Sequence, residues 1–429
     1  MINNNKRIFF RDIDNYILMN NDILRRDYVK QSKLNPVAVS PTVFRRKFDF
    51  GDAEYEALPE FDGFVCEPGH MDYQQVFDES KWNTYGKVNW KPKAGDFPTI
   101  KKLIKHLYGK SSVEEDQVEE LYDYHTIMVK NPKQKQQARV LYSHVQGTSK
   151  SALAILEEMM FQDNYCKIRN GEMESDFNSV WVNSILMHMD EPEFNNPKKM
   201  SRLIRDLVTS PVMNLRKMKT DYEKVGFFAK LLFTTNDSNF MPFEKSDRRY
   251  WIREIVAFSE EDDDKDFETK MKSEVMNYIH FLLHRELKYP VKANKTFWLP
   301  DSIIKTAGFA KLVKDNESPL QKTVVEIIEQ YFLRNKLVSN VSFRLKDIRE
   351  RVADEQKVHL NKVGELEIIL ILRENLGLEQ PEKNSRPKKG ENILGSDIDK
   401  TSGKWWTANR VGFDCEVGEN DVFTRVETY

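Results

Sequence analysis

The sequence predicts an α/β fold in which a parallel sheet lies between layers of helices. Three observations predict it. Residues 138–156 run from a β-prone segment through a turn of small residues, Gly147-Thr-Ser-Lys-Ser, into a helical pattern. Residues 182–191 and 226–236 are two further apolar runs, each ending in polar side chains at its tip. Apolar runs of this kind suit strands buried on both faces, as parallel strands covered by helices are.

The first segment has the layout of a phosphate-binding loop. Backbone N–H groups and the positive end of a helix face an anion, a Lys reaches the β- and γ-phosphates, and a hydroxyl ligates Mg²⁺. Lys150 and Ser151 fit those two roles, with Gly147, Thr148 and Ser149 lending the backbone around ATP. The G-x4-G-K-[ST] pattern calls for Gly where this chain has His144 and Ser149. A non-Gly residue held at positive φ costs about 1–2 kcal/mol. Taken alone, the stretch also reads as an ordinary Ser/Thr-rich turn.

The second run, Val182-Asn-Ser-Ile-Leu-Met-His-Met-Asp-Glu, ends in two carboxylates. Asp190 suits a Mg²⁺ ligand acting through water, and Glu191 a group that orients or deprotonates an attacking water. A strand ending in a solvated acidic turn is the simpler reading. The third run delivers Asn236 at its tip, where an amide bridges the γ-phosphate and the lytic water without adding charge. After a loop, Lys245-Ser-Asp-Arg-Arg-Tyr-Trp sets two guanidiniums ahead of an aromatic strand. Arg249, with Arg248 as second choice, suits an arginine finger reaching a neighbouring subunit's nucleotide. The alternative is a surface arginine pair bound to Asp247.

These four segments, in this order, resemble helicase superfamily 3 of viruses, phages and mobile elements, and most closely the helicase module of phage and poxvirus-type primase–helicase proteins. The likeness extends upstream through Lys81-Trp-Asn-Thr-Tyr-Gly-Lys-Val-Asn-Trp-Lys-Pro-Lys-Ala-Gly-Asp and covers about residues 81–287. It implies a short AAA+ P-loop core, ATP and Mg²⁺ as cofactors, and a homo-oligomeric ring, a hexamer. It also implies that Asn214-Leu-Arg-Lys-Met-Lys-Thr-Asp-Tyr-Glu-Lys-Val is a channel hairpin, in which Arg216, Lys217 and Lys219 touch the phosphates of a translocating strand. The expected function is an ATP-dependent replicative DNA helicase of a phage or mobile element. It would act on single-stranded and forked duplex DNA beside a separate primase or polymerase. A replication initiator or scaffold with weak or no hydrolysis is the alternative, and a packaging or RNA-remodelling motor a further one.

Composition sets limits on both readings. The 429 residues carry 66 Lys plus Arg against 68 Asp plus Glu, a net charge of -2, so nucleic acid must be met by local patches. No run reaches the roughly eighteen apolar residues of a membrane span and no secretory signal opens the chain, which is expected in the cytoplasm, the host's if phage-encoded. Cys66, Cys166 and Cys415 form no C-x2-C pair, and Cys66 with His70 lacks the second pair a zinc site needs.

The flanks divide by pattern. Residues 1–96 read as a mixed region, and 97–139 as a helical collar built from amphipathic helices at Phe97–Tyr108 and Val118–Met128. The motor spans 140–288, with Glu260-Glu-Asp-Asp-Asp as a solvated turn before a helix near Phe267–Leu287. A linker at 289–318 leads to a C-terminal domain, 319–429. There Val324, Ile327, Ile328 and Tyr331 recur at helical spacing, Val341–Ile348 begins a second unit, and Val363–Leu376 makes a third. A basic stretch, Lys383–Gly390, and a ribbon with Trp405 and Trp406 follow. Two readings stay open for this domain. It is either a winged helix whose tryptophans stack on bases, or a helical packing domain whose tryptophans are buried.

Overall fold

In the computed structural model, the described residues are 16–19, 22–25, 37–48, 58–175, 178, 181–215, 223–257, 264–289, 299–334, 339–379, 404–410 and 413. The chain divides into two compact units, residues 1–315 and 316–429.

The first unit opens with short strands. Strands β1 (Tyr16–Met19), β2 (Asp22–Arg25) and β3 (Val37–Val39) precede helix α1 (Pro41–Phe48) and strand β4 (Glu60–Phe61), and form a sheet of order β3-β2-β1-β4. Strands β5 (Gly63–Val65), β6 (Val76–Phe77) and β7 (Lys81–Asn83) form a second sheet. Asn83, at the end of β7, is buried and uses its whole amide: it accepts from the N–H of Glu67 and Tyr85 and donates to the carbonyls of Glu67 and Gln74. Helices α2 (Pro98–Tyr108) and α3 (Val118–Lys130) follow.

The core sheet comes next. It contains β8 (Ala138–Tyr142), then helix α4 (Lys150–Phe161), β9 (Tyr165–Ile168) and β10 (Leu186–Asp190). Helix α5 (Pro197–Thr209) leads to a hairpin of β11 (Val212–Leu215) and β12 (Glu223–Gly226). Strands β13 (Lys230–Thr235) and β14 (Tyr250–Glu254) complete the sheet, in the order β14-β8-β13-β10-β9 with every pairing parallel. This is the expected α/β P-loop core. All residues of β8 and β13 are buried. Successive side chains enter opposite cores, as the strand period requires. Leu141, Leu232 and Trp251 face the core of α2, α3, α4 and helix α6 (Phe267–His284), whereas Val140, Tyr142, Leu231, Phe233 and Ile252 face the core of α5.

Helices α2 and α3 use their apolar faces within this core; residues Glu120–Val129 of α3 are buried throughout. Within the stretch expected as linker, α7 (Asp301–Ile304) and α8 (Ala307–Asp315) belong to the first unit. Gly308 seats α8 on the end of β14, where a Cβ would meet the Glu254 backbone nitrogen at 2.7 Å. The acidic run Glu260–Asp263 lies outside the described residues.

The second unit holds α9 (Pro319–Arg334), β15 (Asn340–Arg344), α10 (Leu345–Glu355), α11 (Glu365–Leu370) and β16 (Trp405–Asn409). It holds three helices and a two-stranded antiparallel ribbon, in which the strand before the second helix pairs with the one carrying the tryptophans and Phe343 stands opposite Trp406. One expectation is corrected. Val341–Ile348 does not start as a helix, because Val341 and Phe343 alternate into the core from a strand and the helix begins at Leu345. The tryptophans are buried too: Trp406 is 3% exposed and Trp405 is 9% exposed, with Arg344 over its ring, so base stacking by this pair is overturned by their packing. Lys383–Gly390 lies outside the described residues.

A buried ionic cluster ties the helices to the sheet. Arg139 of β8 grips Glu157 of α4 with both guanidinium NH groups, and His125 of α3 donates to the same carboxylate at 2.7 Å. The Tyr278 hydroxyl of α6 lies 2.7 Å from the other His125 nitrogen, and all the ion-pair side chains are fully buried. Removing one partner of such a pair leaves an uncompensated buried charge. Glu157→Ala is therefore expected to cost about 3–5 kcal/mol in urea unfolding of the full chain, and Arg139→Met with Glu157→Leu together much less. A loss below about 1 kcal/mol for the single change would show that the cluster does not bear on stability.

Candidate active site

The carboxyl ends of β8, β10 and β13 bring the sequence-predicted residues together. This follows from strand order: β13 lies between β8 and β10, with Thr234 beside Asp190 and Thr235 beside Tyr142. The loop after β8, the acids after β10 and the Asn after β13 therefore share one edge of the sheet.

The loop takes a left-handed turn twice. Gly147 has φ +70° and open space where a Cβ would stand, so its requirement is conformational. Ser149 has φ +56°, at a position where the pattern places Gly, and it caps α4 without a side-chain hydrogen bond. The first N–H groups of any helix lack partners inside the helix, and here they point out of the start of α4. Thr148 and Lys150 are buried, whereas His144 and Ser151 are exposed. His106 of α2, which sequence reasoning passed over, lies 3.2 Å from the Thr148 carbonyl and donates to it through Nε2.

Lys150 Nζ donates to Thr148 Oγ1 at 3.0 Å and to Asn236 Oδ1 at 2.8 Å. Burial lowers the Lys150 ammonium from its ordinary pKa, against the opposing pull of Glu191 and Asp190. Asn236 Nδ2 in turn donates to Glu191 Oε1 at 2.7 Å, while its backbone N–H donates to Glu191 Oε2 at 2.9 Å. Loop lysine, sensor amide and acid thus form one continuous chain. Glu191 itself sits at φ +45°. A non-Gly residue there stores strain of the kind that collects at functional positions.

Asp190 is held differently. Thr234 Oγ1 donates to its Oδ1 at 2.8 Å, and Lys167 of β9 donates to its Oδ2 at 2.8 Å. Burial works against ionisation, but these two donors outweigh it and keep the carboxyl below its ordinary pKa. Lys167 and Thr234 were not among the predicted site residues. Lys167 has no local signal, because it reaches Asp190 only through the pairing of β9 with β10, whereas Thr234 lies two residues before Asn236 in the same run.

Arg249 lies elsewhere. Tyr250 pairs with Ala138 and the Ala138 N–H donates to the Arg249 carbonyl, so the arginines stand at the amino ends of the strands. At 3.3 Å per residue, the five residues of β8 put about 16 Å between that end and the phosphate loop. Arg249 bonds the buried Asp247 through its backbone N–H and NH1, and Arg205 of α5 lies on the same carboxylate; Arg248 is exposed. Arg216, Lys217 and Lys219 fall between β11 and β12, outside the described residues. Among the described residues, no group of three or more His, Cys, Asp or Glu is placed to hold a metal ion. No helix among them is long and apolar enough to cross a membrane.

Comparison with known proteins agrees at the level of fold. A family model described as a family of unknown function, DUF5906, matches residues 141–249, which hold the loop, both acids, the Asn and the arginines. No curated protein matches the sequence. The apo structure of the NrS-1 C-terminal region (305–718) superposes with a TM-score of 0.55 at 13% identity, over 84% of this chain and 81% of that one. Its A form gives 0.54 at 14% identity, over 84% and 87%. These likenesses establish a shared fold. The X-ray structure of JCV helicase superposes with a TM-score of 0.27 at 12% identity, over 54% of this chain and 64% of that one, too partial to carry an argument.

Two outcomes are expected from this geometry. Ser149→Gly removes the strain of a left-handed serine and should stabilise the folded chain by about 1 kcal/mol in urea unfolding; a destabilised variant would show that the serine side chain holds the loop. Burial also lowers His125 from the ordinary histidine value, and places His70 and His188 at about 4. His70 and His188 stay neutral when folded but take up protons near 6.5 when unfolded, so the unfolded state binds more protons below 6.5. Stability should fall as pH drops from 6.5 towards 4, by about 1.4 kcal/mol per pH unit for each such histidine. A melting temperature that is flat from pH 7 to 5 would contradict it.

Proposed function

We propose that this protein is an ATP-dependent DNA helicase that works as a ring, most simply a hexamer, in the replication of a phage or mobile element. The observation that carries the reading is the unbroken Lys150–Asn236–Glu191 chain beside Asp190 at the carboxyl edge of a parallel sheet. A phosphate loop, a metal-binding acid, a water-activating acid and a phosphate-sensing amide are the parts that nucleotide hydrolysis requires.

In this reading Lys150, with the backbone of Gly147, Thr148 and Ser149, holds the β- and γ-phosphates of ATP. Ser151 and Asp190 hold Mg²⁺, which supplies charge neutralisation on the phosphates. The residues fit that cation: Asp190 is kept ionised, and its Oδ2 is engaged by Lys167, which is 56% exposed and readily displaced. Glu191 orients the attacking water. Asn236 passes the presence of the γ-phosphate to Glu191, because one amide touches both Lys150 and the carboxylate.

The position of Arg249 supports assembly. An arginine about 16 Å from its own phosphate loop is too far to serve its own nucleotide; it bonds Asp247 within its own chain, and a catalytic role for it would be in a neighbour's site across a ring interface. Arg249 is the finger, with Arg248 exposed beside it. The β11–β12 hairpin, carrying Arg216, Lys217 and Lys219, would contact single-stranded DNA and track it ahead of a forked duplex. A separate primase or polymerase would complete the machinery, in the host cytoplasm. The strained Ser149 favours a second reading, an initiator or scaffold that binds ATP and hydrolyses it poorly.

Steady-state ATP hydrolysis with and without single-stranded DNA separates the two. Stimulation by DNA is expected, with Lys150→Ala and Arg249→Ala each lowering turnover at least about a hundredfold. Arg249→Ala should still bind ATP, and mixing the two variants should restore turnover by pairing an intact loop with an intact finger. Turnover no higher than that of Lys150→Ala would select the initiator reading.

A further inference from the structure

The face of the sheet beneath Asp190 carries a polar chain that the hydrolytic parts do not use. The Tyr165 hydroxyl of β9 lies 2.8 Å from His188 Nδ1, His188 Nε2 lies 2.8 Å from Thr234 Oγ1, and Thr234 Oγ1 lies 2.8 Å from Asp190 Oδ1. It crosses three adjacent strands, β9, β10 and β13. His188 and Thr234 are each 1% exposed.

The direction of every hydrogen bond follows from its acidic end. An ionised carboxylate can only accept, so Thr234 gives its one hydroxyl proton to Asp190. Thr234 Oγ1 must then accept from His188, which places the ring proton on Nε2. Nδ1 is left bare and accepts from Tyr165. All donors point toward Asp190, and bonds aligned in this way strengthen one another in a low-dielectric interior.

The two oxygens of Asp190 are therefore unequal. Oδ1 is bound from inside by the Thr234 hydroxyl, which is buried and donates to it at 2.8 Å. Oδ2 is bound from outside by Lys167, on a long and half-exposed side chain. We propose that Tyr165, His188 and Thr234 form a positioning relay that commits Asp190 Oδ1 and presents Oδ2 to the divalent cation of the bound nucleotide, with Lys167 as the counter-ion that the cation displaces. The inference rests on the nucleotidase reading and deepens it, by adding residues that act through Asp190 rather than on the nucleotide.

Outer partners of metal-binding groups typically contribute about 10–100-fold in metal affinity or activity. The test is an electron paramagnetic resonance titration of free Mn²⁺ against the full chain with a non-hydrolysable ATP analogue, beside melting curves for each variant. His188→Leu should raise the half-saturating Mn²⁺ concentration about tenfold or more. His188→Gln, whose amide N–H takes the place of Nε2–H, should stay within about threefold of the native chain. Binding of a fluorescent nucleotide in EDTA, which reports Lys150 and the loop, should be unchanged in both. Should His188→Leu fail to fold, Thr234→Val decides, since it removes the last link and keeps the β-branched shape, and it should match the tenfold rise. Native Mn²⁺ half-saturation in a folded His188→Leu or Thr234→Val chain overturns the relay, as does a Gln variant as weak as the Leu one. No Mn²⁺–nucleotide binding by the unaltered chain overturns the nucleotidase reading itself, and the relay with it.

Discussion

The grip of Arg139 on Glu157 is the interaction from which the rest of the site takes its position. Arg139 stands on β8, three residues before the end of the strand, and Glu157 stands two turns into the helix that begins at Lys150. A two-point guanidinium–carboxylate contact between them fixes both the rotation and the height of that helix over the sheet. The loop between strand and helix must then span a set distance. His125 and Tyr278 extend the same cluster to α3 and α6, so the helices that flank the core and the phosphate loop are referenced to one buried carboxylate. Burial opposes the charge on Glu157, but Arg139 and His125 hold its pKa down to about 2, which keeps the pair ionised across ordinary pH.

That rigidity accounts for the strain next to it. With β8 and α4 fixed, the connecting loop keeps its left-handed turn even with serine at position 149, and the His106 bond to the Thr148 carbonyl steadies the same peptide from the far side. Glu191 is held in the same way. Its unusual φ is maintained by the three donors that meet its carboxylate, two from Asn236 and one from Thr235. Strain at both positions falls on the sheet edge where chemistry is proposed, while β8 and β13 below it are fully buried. Asp78, Glu79, Gln162 and Lys357 also take positive φ, so left-handed backbone is not confined to this edge; here it falls where side chains converge.

Local chemistry made much of this legible from residues alone. Strands buried on both faces show as apolar runs, and a polar side chain at the tip of such a run has little to do except meet a ligand or another tip. Gly147, Lys150, Ser151, Asp190, Glu191 and Asn236 follow from that logic, as does the parallel sheet they require. The weaker readings came where the local pattern was ambiguous. Val341-Ser-Phe alternates like a strand but runs into a helix without a break, and the paired tryptophans give no sign of which way they face until Phe343 is placed across from Trp406.

By itself, the sequence determined which chemical groups stand at the ends of which strands, because strand tendency, helix start and side-chain type are properties of a few neighbouring residues. Only the tertiary structure decided which strands lie side by side. From that order come Lys167 on Asp190, the buried line from Tyr165 through His188 to Thr234, and the 16 Å or so that separate the arginines from their own loop. Strand pairing joins segments tens of residues apart and is set by how two whole faces pack on their helices. No spacing between residues records it, which is why the groups that perform the proposed chemistry could be read one by one, and those that hold them in place could not.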